Sequence, residues 1–184
     1  MKTNVISRSL HDVGLSAWFG GTLANAVALN RAASAAGDAR STGAVSNAGW
    51  DAWTPVNAAA IGAHLVGSVG QLVGNSDRIA GQKGVGAMSV VKTLVTVAAL
   101  GATGYSRVLG RTVSDHGAVP AASGTEPAAT TPPEVAKAQQ QLKLLQWVIP
   151  ALTGTLLVIS SFAGEQQRPA SVLSGVSDRL KIGR

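Results

Sequence analysis

A chain of 184 residues that is 46% hydrophobic, only 13% charged and carries a net charge of +6 has too few charges to clothe a soluble globule. Its 22 glycines suit the close small-residue packing of membrane helices, and Ala, Gly, Ser and Thr in place of Leu and Ile hold the mean hydropathy to +0.24. The lack of cysteine excludes disulfides and thiolate chemistry; basic residues scattered without aromatic clusters argue against nucleic acid and leave the lipid bilayer as the expected counterpart.

Four stretches, about residues 11–30, 55–75, 84–107 and 143–164, are expected to cross a bilayer of ~30 Å as helices rising ~1.5 Å per residue. Lys2 and Arg8 precede the first, but no convincing cleavage site follows them, so that span is expected to be retained. Residues 31–54 end in Gly49-Trp50-Asp51-Ala52-Trp53-Thr54-Pro55, where the two indoles read as an interfacial belt and Pro55 as the first helical residue of span two. Ala59, Ala63 and Gly67, with Gly70 and Gly74, mark a close helix–helix face on that span. Residues 113–130 lack periodicity and are expected to form a mobile outer loop. Thr131 as N-cap, Pro in the first turn and Glu134 at the third position then start a capping-box-like helix. Its outer part, 132–143, is expected to stand above the membrane as a docking face for other membrane proteins, and Pro150 to kink its buried part. The tail, 169–184, is expected to be cytoplasmic, either lying on the inner leaflet or disordered.

Each span repeats a polar residue at seven-residue steps: His11/Trp18/Asn25, Asn57/His64/Gln71, Ser89/Thr96/Thr103 and Gln146/Thr153/Ser160. Seven residues is the period at which one face keeps pointing at its neighbours in a left-handed bundle. The expected fold is therefore all-α: a single domain over 1–184 forming an integral membrane four-helix bundle with a polar-lined interior. Lys and Arg in the flanks, Arg78 and Lys83 among them, favour both termini on the cytoplasmic side of the inner membrane.

That orientation places His64 roughly 18 Å and Lys92 roughly 13 Å from the inner ends of their spans, with His11 within a turn or so of the end of its own. A mid-span ionisable group is a functional candidate by default. Lys92 either snorkels to the inner headgroups or turns inward, where Asp12 or an anionic ligand is its nearest counterpart. His64 is either a neutral histidine bonded across the seam or a ligand to a cofactor, and Trp18 either fills the bundle or stacks on a planar ligand.

The pattern His11-x6-Trp18-x-Gly20-Gly21, together with a single lysine in Val90-Val91-Lys92-Thr93 near the start of a later apolar helix, resembles the copper-resistance D family and the HemJ-type protoporphyrinogen oxidases. The resemblance covers spans one and three. It implies haem b within the bundle, with His11 and Lys92 as the matching histidine and lysine, or copper handling at the inner membrane. The second span and the Pro/Thr-rich outer loop do not match, and no Met-rich stretch supports copper.

No phosphate-cradling loop, His-Glu-x-x-His pair or Ser/His/Asp set at one depth is present. Two function classes follow. A non-enzymatic membrane component or accessory subunit is the leading one. In the other, a haem- or metal-binding protein uses His11, His64 and Lys92, with Trp18 and Asn57 lining the site.

Overall fold

The computed structural model describes residues 4–76, 84–117 and 119–165, so the expected cytoplasmic tail at 169–184 and most of the 75–83 connection lie outside the described residues. Among the described residues the fold is all-α apart from one small hairpin. In order come α1 (Val5–Ala24), a π-helical turn (Asn25–Leu29), α2 (Asn30–Ala33), α3 (Ala39–Gly74), α4 (Val85–Asp115), β1 (Ala121–Ser123), β2 (Glu126–Pro127) and α5 (Pro133–Glu165). Helices α3, α4 and α5 are long and apolar enough to cross a membrane. The first of the four expected spans falls short of that standard. Arg8, His11 and Asp12 occupy the first half of α1, and the uncharged residues beyond them are shared between α1, the π-helical turn and α2.

The large apolar residues are turned outward. Val13, Val66, Val73, Leu94, Val108 and Phe162 are each more than half exposed, a density of apolar surface that a soluble monomer does not carry. Inside, Leu15, Trp18, Ala60, Ala99, Ile149 and Leu156 form the main core. All twelve of the seven-residue seam positions are buried or half-buried, which is the polar-lined interior the periodicity predicts.

The helices do not pack in chain order. α1 lies chiefly on α3 and then on α5, and α4 lies chiefly on α5, whereas the sequence neighbours α3 and α4 barely touch. The bundle is thus closed along three seams and open along the fourth. Gly14 and Gly67 explain why α1 and α3 come so close. A Cβ on Gly14 would collide with the carbonyl oxygen of Ala60 and the amide nitrogen of His64, and one on Gly67 with backbone atoms of Ser7 and His11. Ala60, Ala63 and Gly67 form this contact face; Ala59, one position away, is exposed.

The end of the bundle that carries the hairpin, labelled outer after the expected orientation and its opposite inner, departs most from the sequence expectations. α3 begins at Ala39, not at Pro55, because Asp38 caps it: its Oδ1 accepts from the backbone N–H groups of Arg40 and Ser41 at 2.9 and 3.0 Å. Pro55 therefore sits inside a helix of 36 residues, about 54 Å long and well beyond a bilayer's thickness. The loop at 113–130, expected to be mobile, instead continues α4 to Asp115 and then folds as the β1–β2 hairpin. Buried Val119 packs with Val113, Val135 and Ala138 in a second apolar core that ties the hairpin to α4 and α5. Thr131 does not cap α5. Its hydroxyl donates to the Pro120 carbonyl and accepts from the Ala128 N–H, so it closes the loop, and the helix starts at Pro133.

Candidate functional site

The five residues singled out from the sequence fall into three places. His11, His64 and Trp18 meet inside the α1/α3 seam. Their ring centroids lie 4.6 Å apart for His11 and His64, tilted by 48°, and 6.1 Å apart for Trp18 and His64. All three side chains are essentially excluded from solvent. The reciprocal glycines produce this pairing: His11 lies against Gly67 on α3, and Gly14, one turn along α1, lies against the backbone of His64.

The imidazole Nδ1 of His11 bonds the carboxylate of Asp12 at 2.7 Å. With that nitrogen donating, Nε2 of the neutral ring keeps a lone pair, and it has no partner. His64 Nδ1 and Nε2 and Trp18 Nε1 are buried without partners as well. Polar atoms in that condition are uncommon in a protein interior. The Lys92 ammonium is near enough for its charge to act on both imidazoles.

Lys92 itself faces a different space. The gap between α3 and α4 forms a long groove whose inner half is a cavity of about 460 Å³ between Leu65–Asn75 and Val85–Leu100, with Lys92 on its wall. The outer half, about 350 Å³, adjoins it at Leu100 and holds Asn57, with Trp53, Thr103 and Gln146. Neither half reaches His11, His64 or Trp18. His11, His64 and Lys92 thus lie in two separate environments: a sealed histidine pair and an open groove.

A haem held between the two histidines does not fit. An iron bonded to both rings at ~2.0 Å per bond separates their centres by about 6 Å, with a macrocycle between them. The observed 4.6 Å leaves no such gap, and the backbone contacts at Gly14 and Gly67 hold the helices at that distance. Among the described residues, no three of His, Cys, Asp and Glu gather at metal-binding spacing.

At the outer end, the indoles expected in an interfacial belt turn inward instead. Trp53 stacks over Gly21 on α1, and Trp50 Nε1 donates to Asn30 Oδ1 at 3.1 Å. Asn30 Nδ2 in turn donates to Gln146 Oε1 at 2.7 Å, and Gln146 Nε2 to the Thr125 hydroxyl at 3.2 Å. This chain links α2, α3, α5 and the hairpin turn. The π-helical turn before Asn30 shifts the phase of the helix and brings that side chain inward, so that it is 5% exposed. The helix at 132–143 presents only part of its surface as a docking face: Val135, Ala138 and Gln139 are buried against this chain, while Glu134, Lys137 and Gln140 face out. His116 bonds the Thr112 carbonyl at 2.7 Å and sits away from every cavity described above.

Sequence reasoning missed Gly14, Asn30 and Thr125 and misplaced Trp50. One signal for the first was present: His11-Asp-Val-Gly14 and His64-Leu-Val-Gly67 repeat the pattern His-x-Val-Gly, and the two copies face each other on antiparallel helices. Compared with protein-family models, with curated proteins and with solved structures, the chain matches none.

Proposed function

We propose that this chain is an integral membrane protein without catalytic chemistry of its own, a component of the inner membrane that takes an apolar occupant from the bilayer into the open seam between α3 and α4. The observation that carries this reading is the groove. Two helices joined in sequence would ordinarily pack together, yet here they stand apart along most of their length, with apolar side chains and a few polar groups facing the gap. Such a mixture is the usual lining of a binding site for a largely apolar molecule. The outward valines and leucines supply the lipid-facing surface, α3, α4 and α5 supply three spans, and α1 with the π-helical turn and α2, running antiparallel along α3, makes the fourth crossing.

The orientation belonging to this reading has both termini cytoplasmic and the hairpin at 119–127 outside. Reporter fusions after Asn75 and at the C-terminus should report cytoplasm, and fusions within the hairpin the exterior. The membrane fraction should retain the protein through alkaline carbonate extraction. Release by carbonate would end the reading.

A second reading rests on the three imidazole nitrogens without partners. A single small metal ion held by His11 and His64, in a copper-handling or redox role as the resemblance to the copper-resistance D family implies, would give one nitrogen of each ring a use. Elemental analysis of detergent-purified protein tests it: about one metal ion per chain, lost in His64→Ala, supports this reading, and a metal-free protein after growth in copper or zinc ends it. A Soret band would restore haem b and overturn the fit argument given above.

A further inference from the structure

Lys92 is half-buried in the wall of the inner cavity, and among the described residues its ammonium makes neither a hydrogen bond nor an ion pair. An ammonium held in an apolar groove without a counterpart is costly unless an anion or water reaches it. Two charges on α1 act on it, the Asp12 carboxylate and the Arg8 guanidinium, and they oppose each other. The carboxylate of Asp12 is already committed to His11. Gln71 faces the same cavity from α3, and its Nε2 is buried with no acceptor. Lys92 and Gln71 thus line one space from α4 and α3, with Ser68, Ser89 and Thr93 among its other lining.

Asn75 and Thr96 complete the polar part of the lining, and the remainder is apolar. Leu65, Val69, Leu72, Val85, Met88 and Val97 line it, and it continues past Leu100 into the outer cavity. The groove thus has a polar, positively charged station near its inner end and an apolar run leading away from it. A free inorganic anion would use the first and waste the second. A neutral lipid would leave Lys92 unpaired.

We propose that the inner half of the α3/α4 groove binds one anionic phospholipid, its phosphate held by Lys92 Nζ and Gln71 Nε2 and one acyl chain lying along the groove toward Leu100. Lys92 lies seven residues into α4, about 10 Å from the helix start, a depth its long side chain spans toward the headgroup layer. Snorkelling and ligand binding are then the same event. The ammonium reaches a headgroup, but that headgroup belongs to a lipid whose chain is inside the protein.

This inference rests on the membrane reading above and is tested so that the two can fail separately. The full chain is reconstituted in phosphatidylcholine vesicles containing phosphatidylglycerol, extracted into mild detergent and examined by native mass spectrometry. One phosphatidylglycerol retained per chain, in preference to phosphatidylcholine, is the expected result. Lys92→Gln should weaken that preference about five-fold, the effect of one lysine at an anionic headgroup, and Lys92→Arg should keep it. Gln71→Leu should weaken it also, with wild-type helicity. Glycerol phosphate, which carries the headgroup without chains, should not displace the lipid; displacement at equal concentration would make the site one for a free phosphate and overturn the proposal. Equal retention of both lipids, unchanged retention in Lys92→Gln, or a dimer mass with no lipid would each overturn it as well. Failure of the chain to enter vesicles at all would instead overturn the membrane reading.

Discussion

Gly67→Ala is the most direct test of the α1/α3 seam. The added Cβ would fall on the backbone N and Cα of His11 and the carbonyl oxygen of Ser7, none of which can rotate aside. The helices must move apart, and overpacking of this kind costs about 1–3 kcal/mol, here toward the upper end because only backbone receives the clash. Alanine also favours the helix over glycine by roughly 1 kcal/mol, which masks part of the effect. Gly62→Ala removes that ambiguity: it gains the same propensity on the same helix, and its Cβ meets nothing within 4 Å. The difference between the two variants, measured by unfolding in mixed detergent–SDS micelles and followed by far-UV circular dichroism, therefore isolates the steric cost. Gly67→Ala should be about 2–3 kcal/mol less stable than Gly62→Ala. A difference under about 0.5 kcal/mol would refute the close approach of α1 and α3 and with it the His11–His64 contact.

The outer polar chain gives a second test: Asn30→Ala leaves Trp50 Nε1 and Gln146 Oε1 facing an emptied space and should cost about 1–3 kcal/mol by the same unfolding assay, whereas an unchanged midpoint would mean that water satisfies both groups equally well. Asp38 should titrate below its ordinary 3.8, because the Ser41 hydroxyl, and then the backbone N–H groups of Ser41 and Arg40, favour its carboxylate. Its folded value is the lower one, so its contribution to α3 is full above the unfolded value and lost as pH falls through the folded value. Carboxyl NMR should place the midpoint below 3.8 and Ser41→Ala should raise it; a midpoint at or above 3.8 in the wild type would show that the cap does not form. Protease added from outside should cut first at the exposed turn 34–38, where Gly37 has φ +94°, and spare the hairpin 119–127; the reverse order would remove the second apolar core.

The interior of the bundle was legible because periodicity along one helix is information that a single sequence holds. His11, Trp18 and Asn25 are buried or half-buried for the same reason that Gln146, Thr153 and Ser160 are: each set recurs on one face. The neighbours each face would meet were not legible, since adjacency depends on complementarity between two segments. The double His-x-Val-Gly pattern was such a signal, but it names the α1/α3 partnership only once each glycine is known to face the other helix. At the outer end, local rules competed. Pro55 suits a first turn, yet Asp38 and Ser41 offered a better start, and the helix carried the proline in its interior. The hairpin is five residues of strand with no period to detect, and it is held by tertiary burial of Val119 and Ala121.

Small residues have two opposite uses in this molecule, and the difference accounts for the open seam. On α1 and α3, Gly14 and Gly67 are filled by the facing backbone, so their smallness is spent on contact. On α4, a Cβ at Gly101, Gly104 or Gly110 would meet nothing within 4 Å, and Gly104 and Gly110 line the outer cavity. Those glycines give up helix propensity without gaining a helix contact, a cost of roughly 1 kcal/mol each in an ordinary helix interior. The smallness of Gly104 and Gly110 widens the groove. Pairing between α3 and α4 is weak for the same reason that pairing between α1 and α3 is tight: one interface places its glycines against backbone, while the other leaves them facing the gap. An occupant that filled the gap would recover packing that the protein alone does not make, which is why the groove is the part of this fold where binding has the most to gain.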